Sequence, residues 1–462
     1  MANMSADEAI ESVLATHFQI DTIKPEQRQI LDALLAKKDC MAVLPTGFGK
    51  SLPYQMLIPT KREMGVDDGM KVVVSSPLTA LMQDQCDRLS KIPGIKAIYK
   101  GGCSQTDEDI ESGSFDFLFA SPETLVGDQK WRVALQQFEV STIVVDEFHT
   151  IATWGEDEGD SKKAFRKWFS CIGELRSLHP RASVLALSAT CTQKISNRVK
   201  KILNLNSDNL VDIRISPNRE NIKIVVNKVA NNTEMAMSWV VNGLQDGLFP
   251  KTLIYCMSIK DAANIYTYIL QEIPDCKCID MFHSETDYVS KSRIMDSLKN
   301  PNSDLKIVVA TNALGMGIDI KNFYNVVLYG CPKSIVDLVQ EIGRDGKNAT
   351  AMLLHNSYHL RGVDSDVKAV YTKSADSDCR RATMLTPFLS TAELSDLAKK
   401  ERDHSCCDLC NSICSCETCA RTHIETLFHF VSDGSDESEM SENEAVPDVH
   451  VSDFEDELFE SC

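Results

Sequence analysis

The chain has 462 residues, 43% of them apolar and 25% charged, the balance of roughly two or three globular domains. No stretch approaches the roughly 18 apolar residues of a membrane helix, and residues 1–11 are acidic with no apolar core, so neither a membrane span nor an export signal is expected. The formal net charge of −19 is uneven: residues 432–462 hold twelve Asp or Glu and no Lys or Arg, leaving −7 for the rest. Binding to nucleic acid depends on the local field in a groove, so this charge permits it without arguing for it. Seventeen cysteines without an export signal point to reduced thiols, with metal binding where they cluster.

In chain order, residues 1–38 read as helical, with Ile10, Val13, Leu14 and Phe18 and then Ile30, Leu31, Leu34 and Leu35 at helical spacing. The apolar run Cys40–Leu44 reads as a buried strand, Pro45–Ser51 as a loop, and Leu52 onward as a helix. Apolar strands then alternate with helical stretches: 72–74, 117–119, 143–145 and 184–187, and after Asn221 again at 222–226, 252–255, 307–310, 326–329 and 352–354. Such alternation predicts parallel sheets covered on both faces. We therefore expect an α/β protein of two domains, residues 1–205 and 206–360, with a junction near 205–220. A helical, cysteine-bearing segment follows at 361–420. The acidic, Ser-rich end, 421–462, has little to bury and is expected to be disordered in isolation.

The chemistry concentrates at strand ends. In Thr46-Gly47-Phe48-Gly49-Lys50-Ser51, small residues free backbone N–H groups to face phosphates, Lys50 would reach the β- and γ-phosphates, and the Ser51 hydroxyl would bind Mg²⁺. Leu44 stands where the full pattern has its first Gly. Asp146 and Glu147 close the run Ile143-Val144-Val145; beside a phosphate loop, Asp146 suits the metal and Glu147 the attacking water. The hydroxyls of Ser188 and Thr190 end the next strand, where they could bond the group around His149 or serve as a helix cap.

These motifs, with Ser76-Pro-Leu-Thr-Ala-Leu-Met-Gln-Asp-Gln85 and Ser121-Pro-Glu-Thr-Leu125, follow the order seen in superfamily-two helicases. Within them the chain resembles the RecQ family of DNA helicases, over roughly residues 18–410. Lys24-Pro-Glu-Gln27 resembles the family's Arg-Pro-x-Gln element, which implies that Gln27 reads adenine, although Lys24 replaces the Arg. Trp154-Gly155 follows Asp146-Glu-Phe-His149 at the family's spacing, and Asn218-Arg-Glu-Asn221 resembles its Asn-Arg-x-Asn between the motor domains. Thr311-Asn-Ala-Leu-Gly-Met-Gly-Ile-Asp319 is close to another motif; by resemblance Thr311 touches a DNA phosphate, Ser76 also belongs to the nucleic-acid-binding residues, and Asp319 helps relay nucleotide state. His283-Ser284 looks like the family's His-containing strand end. Gln340-Glu-Ile-Gly-Arg344 matches the start of the last motor motif, placing Gln340 and Arg344 at the γ-phosphate.

Three departures bear on mechanism. The family's last motif carries two arginines; here Gly343-Arg344-Asp345-Gly346-Lys347 either puts Lys347 at the second or, in the alignment we prefer, lacks three residues. An arginine finger contributes about 10³-fold or more, and Lys lacks its planar fork, so impaired hydrolysis is a second reading. The loop after Trp154 is acidic and long (Gly155–Ser161), which leaves Trp154 open to stacking on a base or to simple packing. No winged-helix part is expected after the cysteines.

By resemblance, Cys379, Cys406, Cys407 and Cys410 are zinc ligands, and the Cys407-x-x-Cys410 pair has the spacing zinc favours. His404 is an alternative to Cys406, while Cys414, Cys416 and Cys419 have no family counterpart and are open to a second metal or to none. The tail reads as a solvated end, or as a partner-binding segment phosphorylated around Ser435–Ser441.

The expectation is two RecA-like domains, a helical zinc-binding appendix, and ATP-dependent unwinding of DNA moving 3′ to 5′ along a single strand, with ATP, Mg²⁺ and Zn²⁺, in repair or recombination. The other readings are a nucleotide-gated DNA-binding protein without turnover and an RNA helicase. Nuclear residence is expected from the family's substrate, with the cytoplasm left open.

Overall fold

The computed structural model describes residues 4–66, 69–77, 79–100, 105–154, 167–205, 207–314, 323, 325–343, 349–373, 379–399, 404–416, 419 and 421–432. Two parallel sheets organise them. The first is built from β1 (Asp39–Val43), β2 (Val72–Ser75), β3 (Ala97–Tyr99), β4 (Phe117–Ala120), β5 (Thr142–Val145), β6 (Ser183–Ser188) and β7 (Leu210–Arg214), in the order β3-β4-β2-β5-β6-β1-β7. The second contains β8 (Ile222–Lys228), β9 (Thr252–Cys256), β10 (Ile279–Phe282), β11 (Ile307–Ala310), β12 (Asn325–Tyr329) and β13 (Ala349–His355), in the order β10-β11-β9-β12-β13-β8.

Every pairing is parallel. Strands such as β1, β2, β4, β5, β6 and β9 are buried along their whole length. That is why they read as unbroken apolar runs: helices cover both faces and each side chain, up or down, meets a core. Successive residues of β1 divide accordingly, Cys40 and Ala42 facing one apolar cluster and Met41 and Val43 the other.

The strands the apolar runs do not reveal are marginal ones. β3 has three residues. β7, Leu-Val-Asp-Ile-Arg, is a half-exposed edge strand pairing only with β1 among the described residues. Its place in the first sheet carries that sheet to Arg214, within the junction expected near 205–220.

The chain end departs from the expectation. The helix His423–Ser432 lies within the segment expected to be disordered. Ile424 is fully buried, Phe428 meets the Trp239 ring edge-on at 5.5 Å, and the Glu425 carboxylate pairs with the Lys223 ammonium at 3.0 Å, both groups buried. Apolar residues at i, i+3 and i+4 give this short stretch a face to bury, which the acidic residues after it lack. Residues 433–462, with the segment around Ser435–Ser441, lie outside the described residues. Among the described residues no helix is long and apolar enough to cross a membrane.

Candidate nucleotide site and cysteine clusters

β5, β6 and β1 are consecutive neighbours in the first sheet, so the loops at their carboxyl ends converge although the sequence spreads them from Pro45 to Thr190. A crevice at the carboxyl ends of parallel strands is where such sheets bind ligands. The phosphate loop follows β1; the residue that leads into it is tied across, the Leu44 N–H donating to the Ser188 carbonyl at 3.0 Å. Gly47 and Gly49 hold φ of 78° and 84°, a region where a side chain would be strained, and so the loop can turn tightly before the helix Leu52–Glu63.

A framework of side chains fixes the loop from behind. The Gln27 carboxamide donates to the carbonyls of Phe48 (2.9 Å) and Gly49 (3.0 Å), and its oxygen accepts from the Lys24 N–H at 3.0 Å. Gln27 is buried with both amide hydrogens committed to these carbonyls, so donating to an adenine would require it to exchange one of these bonds. The Lys24 ammonium adds a bond to the Phe48 carbonyl and sits 4.1 Å from the Phe48 ring centre, which keeps a cation at this place despite the change from Arg. From the inter-domain segment, the Arg219 guanidinium donates to the Thr46 carbonyl at 2.7 Å. Sequence reasoning gave Arg219 no role; the signal was the Asn-Arg-x-Asn element itself.

Asp146 and Glu147 are buried at the end of β5, and Glu147 holds a left-handed φ of 50°, a strained backbone for this residue type. Two adjacent buried carboxylates do not both ionise freely. Burial, reinforced by the Glu147 charge, pushes the Asp146 carboxyl up to about 7. Burial acts the same way on Glu147, but the charge of Lys50 and the His149 ring outweigh it and hold that carboxyl down at about 2. Lys50 therefore faces both acids electrostatically. A divalent cation would fit beside them: Asp146 and the Ser51 hydroxyl are oxygen donors of the hard type Mg²⁺ takes, and its charge would relieve the repulsion between the acids.

His149 links this centre to its surroundings. Its Nδ1 lies 2.9 Å from the Ser188 hydroxyl and 3.3 Å from the Glu147 carboxylate, and Ser188 donates to the Thr190 carbonyl at 2.8 Å. Its Nε2 lies 3.3 Å from the Gln340 carboxamide nitrogen, carried by the helix Ile335–Ile342 of the second domain. Of the predicted residues, Gln27, Thr46, Gly47, Gly49, Lys50, Ser51, Asp146, Glu147, His149, Ser188, Thr190 and Gln340 thus belong to one region.

Asp319 and Arg344 lie outside the described residues, as does the acidic loop after Trp154; Trp154 itself ends the helix His149–Trp154. Ser76 and Thr311 are buried residues at the ends of β2 and β11. Gln85, from the Leu-Met-Gln-Asp-Gln run, is also interior, bonded by the Tyr54 hydroxyl and, at 3.3 Å, by the Gln55 carboxamide.

The sulfur atoms of Cys379, Cys406, Cys407 and Cys410 lie within 4.8 Å of one another, a four-thiol donor set that fits a tetrahedral zinc. Arg381 joins this knuckle to the inter-domain segment and β8. Its guanidinium donates to the Cys406 carbonyl (3.2 Å), to the Asn218 side chain (3.2 Å) and to the carbonyls of Arg219 and Ile222. His404 does not belong to this group; it sits with Cys414, Cys416 and Cys419.

Residues 24–198 match the DEAD/DEAH box helicase family model and residues 236–349 that of the helicase conserved C-terminal domain. The chain is 27% identical over 428 residues to a putative ATP-dependent RNA helicase of Acanthamoeba polyphaga mimivirus, covering 88% of this chain and 72% of that protein. It is 31% identical over 353 residues to the probable ATP-dependent DNA helicase RecS of Bacillus subtilis, covering 75% of this chain and 66% of that one. Relatives named as RecQ DNA helicases are 29% identical, and the chain spans about half their length. Among solved structures, the DUF1998 helicase MrfA bound to DNA shares the fold, with a TM-score of 0.60 at 16% identity, over 87% of this chain and 61% of that one. With two helicase models in order, a Lys50 loop facing Asp146 and Glu147, and RecQ proteins among its relatives, the chain belongs to the RecQ family of superfamily-two helicases.

Proposed function

We propose that this chain is an ATP-dependent DNA helicase that moves 3′ to 5′ on a single strand and separates duplexes, in repair or recombination and in the nucleus. The observation that carries this reading is the approach of Gln340, on the second domain, to His149, which itself touches the Glu147 carboxylate. A nucleotide held by Lys50 and Ser51 would lie against both domains. Glu147, ionised and oriented by His149, positions the attacking water; Mg²⁺, when bound by Asp146 and Ser51, supplies charge neutralisation at the phosphates. Gln340 senses whether the γ-phosphate side is filled, and Arg344 is assigned the countercharge from the same domain. Closure on ATP and reopening after hydrolysis would alternate the grip of the two domains on DNA. Zinc at Cys379, Cys406, Cys407 and Cys410 would hold the appendix against β8, where Cys407 bridges Ile224. The acidic tail is a candidate docking segment for protein partners.

Support comes from the motif order and from relatives named as DNA helicases. The test is phosphate release with and without single-stranded DNA, alongside strand separation. DNA-stimulated release and unwinding are expected, both lost in Lys50→Ala. Unwinding by that variant would show the site to be misassigned; DNA binding without phosphate release would favour a nucleotide-gated binder. Competition between DNA and RNA strands tests the polymer preference, since one relative is named as an RNA helicase.

A further inference from the structure

We infer a second metal site, a Cys₃His zinc centre formed by His404, Cys414, Cys416 and Cys419, separate from the four-cysteine knuckle. The four ligand atoms lie within 4.8 Å of one another. His404 Nδ1 is 3.2 Å from the Cys416 sulfur and 3.7 Å from the Cys414 sulfur, and Cys416 and Cys419 sulfurs are 3.2 Å apart. With Zn–S bonds near 2.3 Å, a regular tetrahedron has edges of about 3.8 Å, so four donors at these separations need only small shifts to share one ion.

Two features argue against a chance cluster. The donors are of the two kinds zinc prefers, three thiols and one imidazole, and Cys416-x-x-Cys419 supplies the close pair. The ligand order is also nested. His404 precedes Cys406, Cys407 and Cys410 of the first knuckle, and Cys414, Cys416 and Cys419 follow them. The second site therefore clasps the two ends of the segment 404–419, with three of the first site's four ligands, Cys406, Cys407 and Cys410, inside the loop so closed. Closing a loop removes unfolded-state entropy, and a small cysteine-rich appendix with little core of its own needs such constraints.

The position gives the site a role. Cys419 lies four residues before the helix His423–Ser432, whose Ile424, Glu425 and Phe428 pack on the second domain. An ion at the second site fixes where this helix departs from the knuckle. The acidic segment beyond Ser432 is then launched from an anchored helix.

The test is zinc content of the full chain purified under reducing conditions with Zn²⁺ present. The wild type is expected to hold one equivalent more than the double variant Cys414→Ser/Cys416→Ser; equal content in the two proteins overturns the site. Should that variant fail to fold, the native protein decides by alkylation mapped by mass spectrometry. Cys414, Cys416 and Cys419 should resist a maleimide until a chelator is added, and alkylation at the rate of the exposed free thiols with zinc present overturns the proposal. In the folded variant, hydrogen exchange across 423–432 should rise several-fold; unchanged protection there overturns the anchoring role. None of these readouts depends on ATP hydrolysis.

Discussion

The carboxamide nitrogen of Gln340 lies 3.3 Å from Nε2 of His149, across the cleft between the two domains. Through His149 the second domain reaches Glu147 and Ser188 of the first. Gln340→Ala should lower DNA-stimulated phosphate release by about tenfold or more, with the KM for ATP changed far less, because the contact acts on closure rather than on ground-state binding. Steady-state kinetics with single-stranded DNA check this. A KM that rises while kcat stays intact would mean that Gln340 only binds nucleotide.

Gly49 is caught between backbone and neighbour. Its φ of 84° disfavours a side chain, and a Cβ there would stand 2.6 Å from the Gln27 carboxamide nitrogen. Gly49→Ala should cost about 1–2 kcal/mol in the loop conformation alone, and should displace Gln27 from the Phe48 and Gly49 carbonyls. Binding of a fluorescent ATP analogue is expected to weaken about tenfold or more by this disruption, while thermal unfolding of the second domain stays unchanged. Wild-type affinity in this variant would show that the loop does not need its observed shape.

Asp39 begins β1 with its carboxylate buried, held by two bonds from the Arg176 guanidinium (2.7 and 3.1 Å) and by the Val184 N–H at 2.9 Å. Arg176→Met leaves that carboxylate without its cation, a change that typically costs about 3–5 kcal/mol. Asp39→Asn with Arg176→Met should recover part of the loss. Urea unfolding measures both, and a single variant as stable as the wild type would contradict the assignment of a buried pair.

His359 is pushed below its ordinary value by burial, with Asp261 opposing, and its Nδ1 accepts the Asn356 N–H at 3.3 Å, a bond made by an unprotonated nitrogen. Burial lowers His355 as well. The unfolded chain takes up these protons first as pH falls. Their contribution to stability is therefore full above about pH 6.5 and is lost as pH drops through the folded-state values. The urea midpoint of the second domain should fall between about pH 7 and pH 5.5, and His359→Gln should flatten that slope. An unchanged slope would assign the acid sensitivity elsewhere.

The sheets were legible because parallel strands covered on both faces read as apolar runs, as in 72–74 and Ile307–Ala310. The order of short motifs announced the nucleotide chemistry before any geometry, since phosphate loops need small residues and Mg²⁺ needs carboxylates at strand ends. Edge strands such as Leu210–Arg214 escaped notice because only one side of them is protected. The helix His423–Ser432 escaped because ten residues carry a weak periodic signal beside a strongly acidic neighbour.

By itself the chain order determined which residue types could meet a nucleotide and which thiols could meet a metal. It could not decide partners. Thr46 accepts from Arg219, Gln27 is engaged by the phosphate loop, His149 meets Gln340, and His404 joins Cys414, Cys416 and Cys419 rather than the first knuckle. Each of these pairings crosses a long or crowded stretch of chain. Which donor reaches which acceptor is set by strand order and packing, and those are properties of the folded whole.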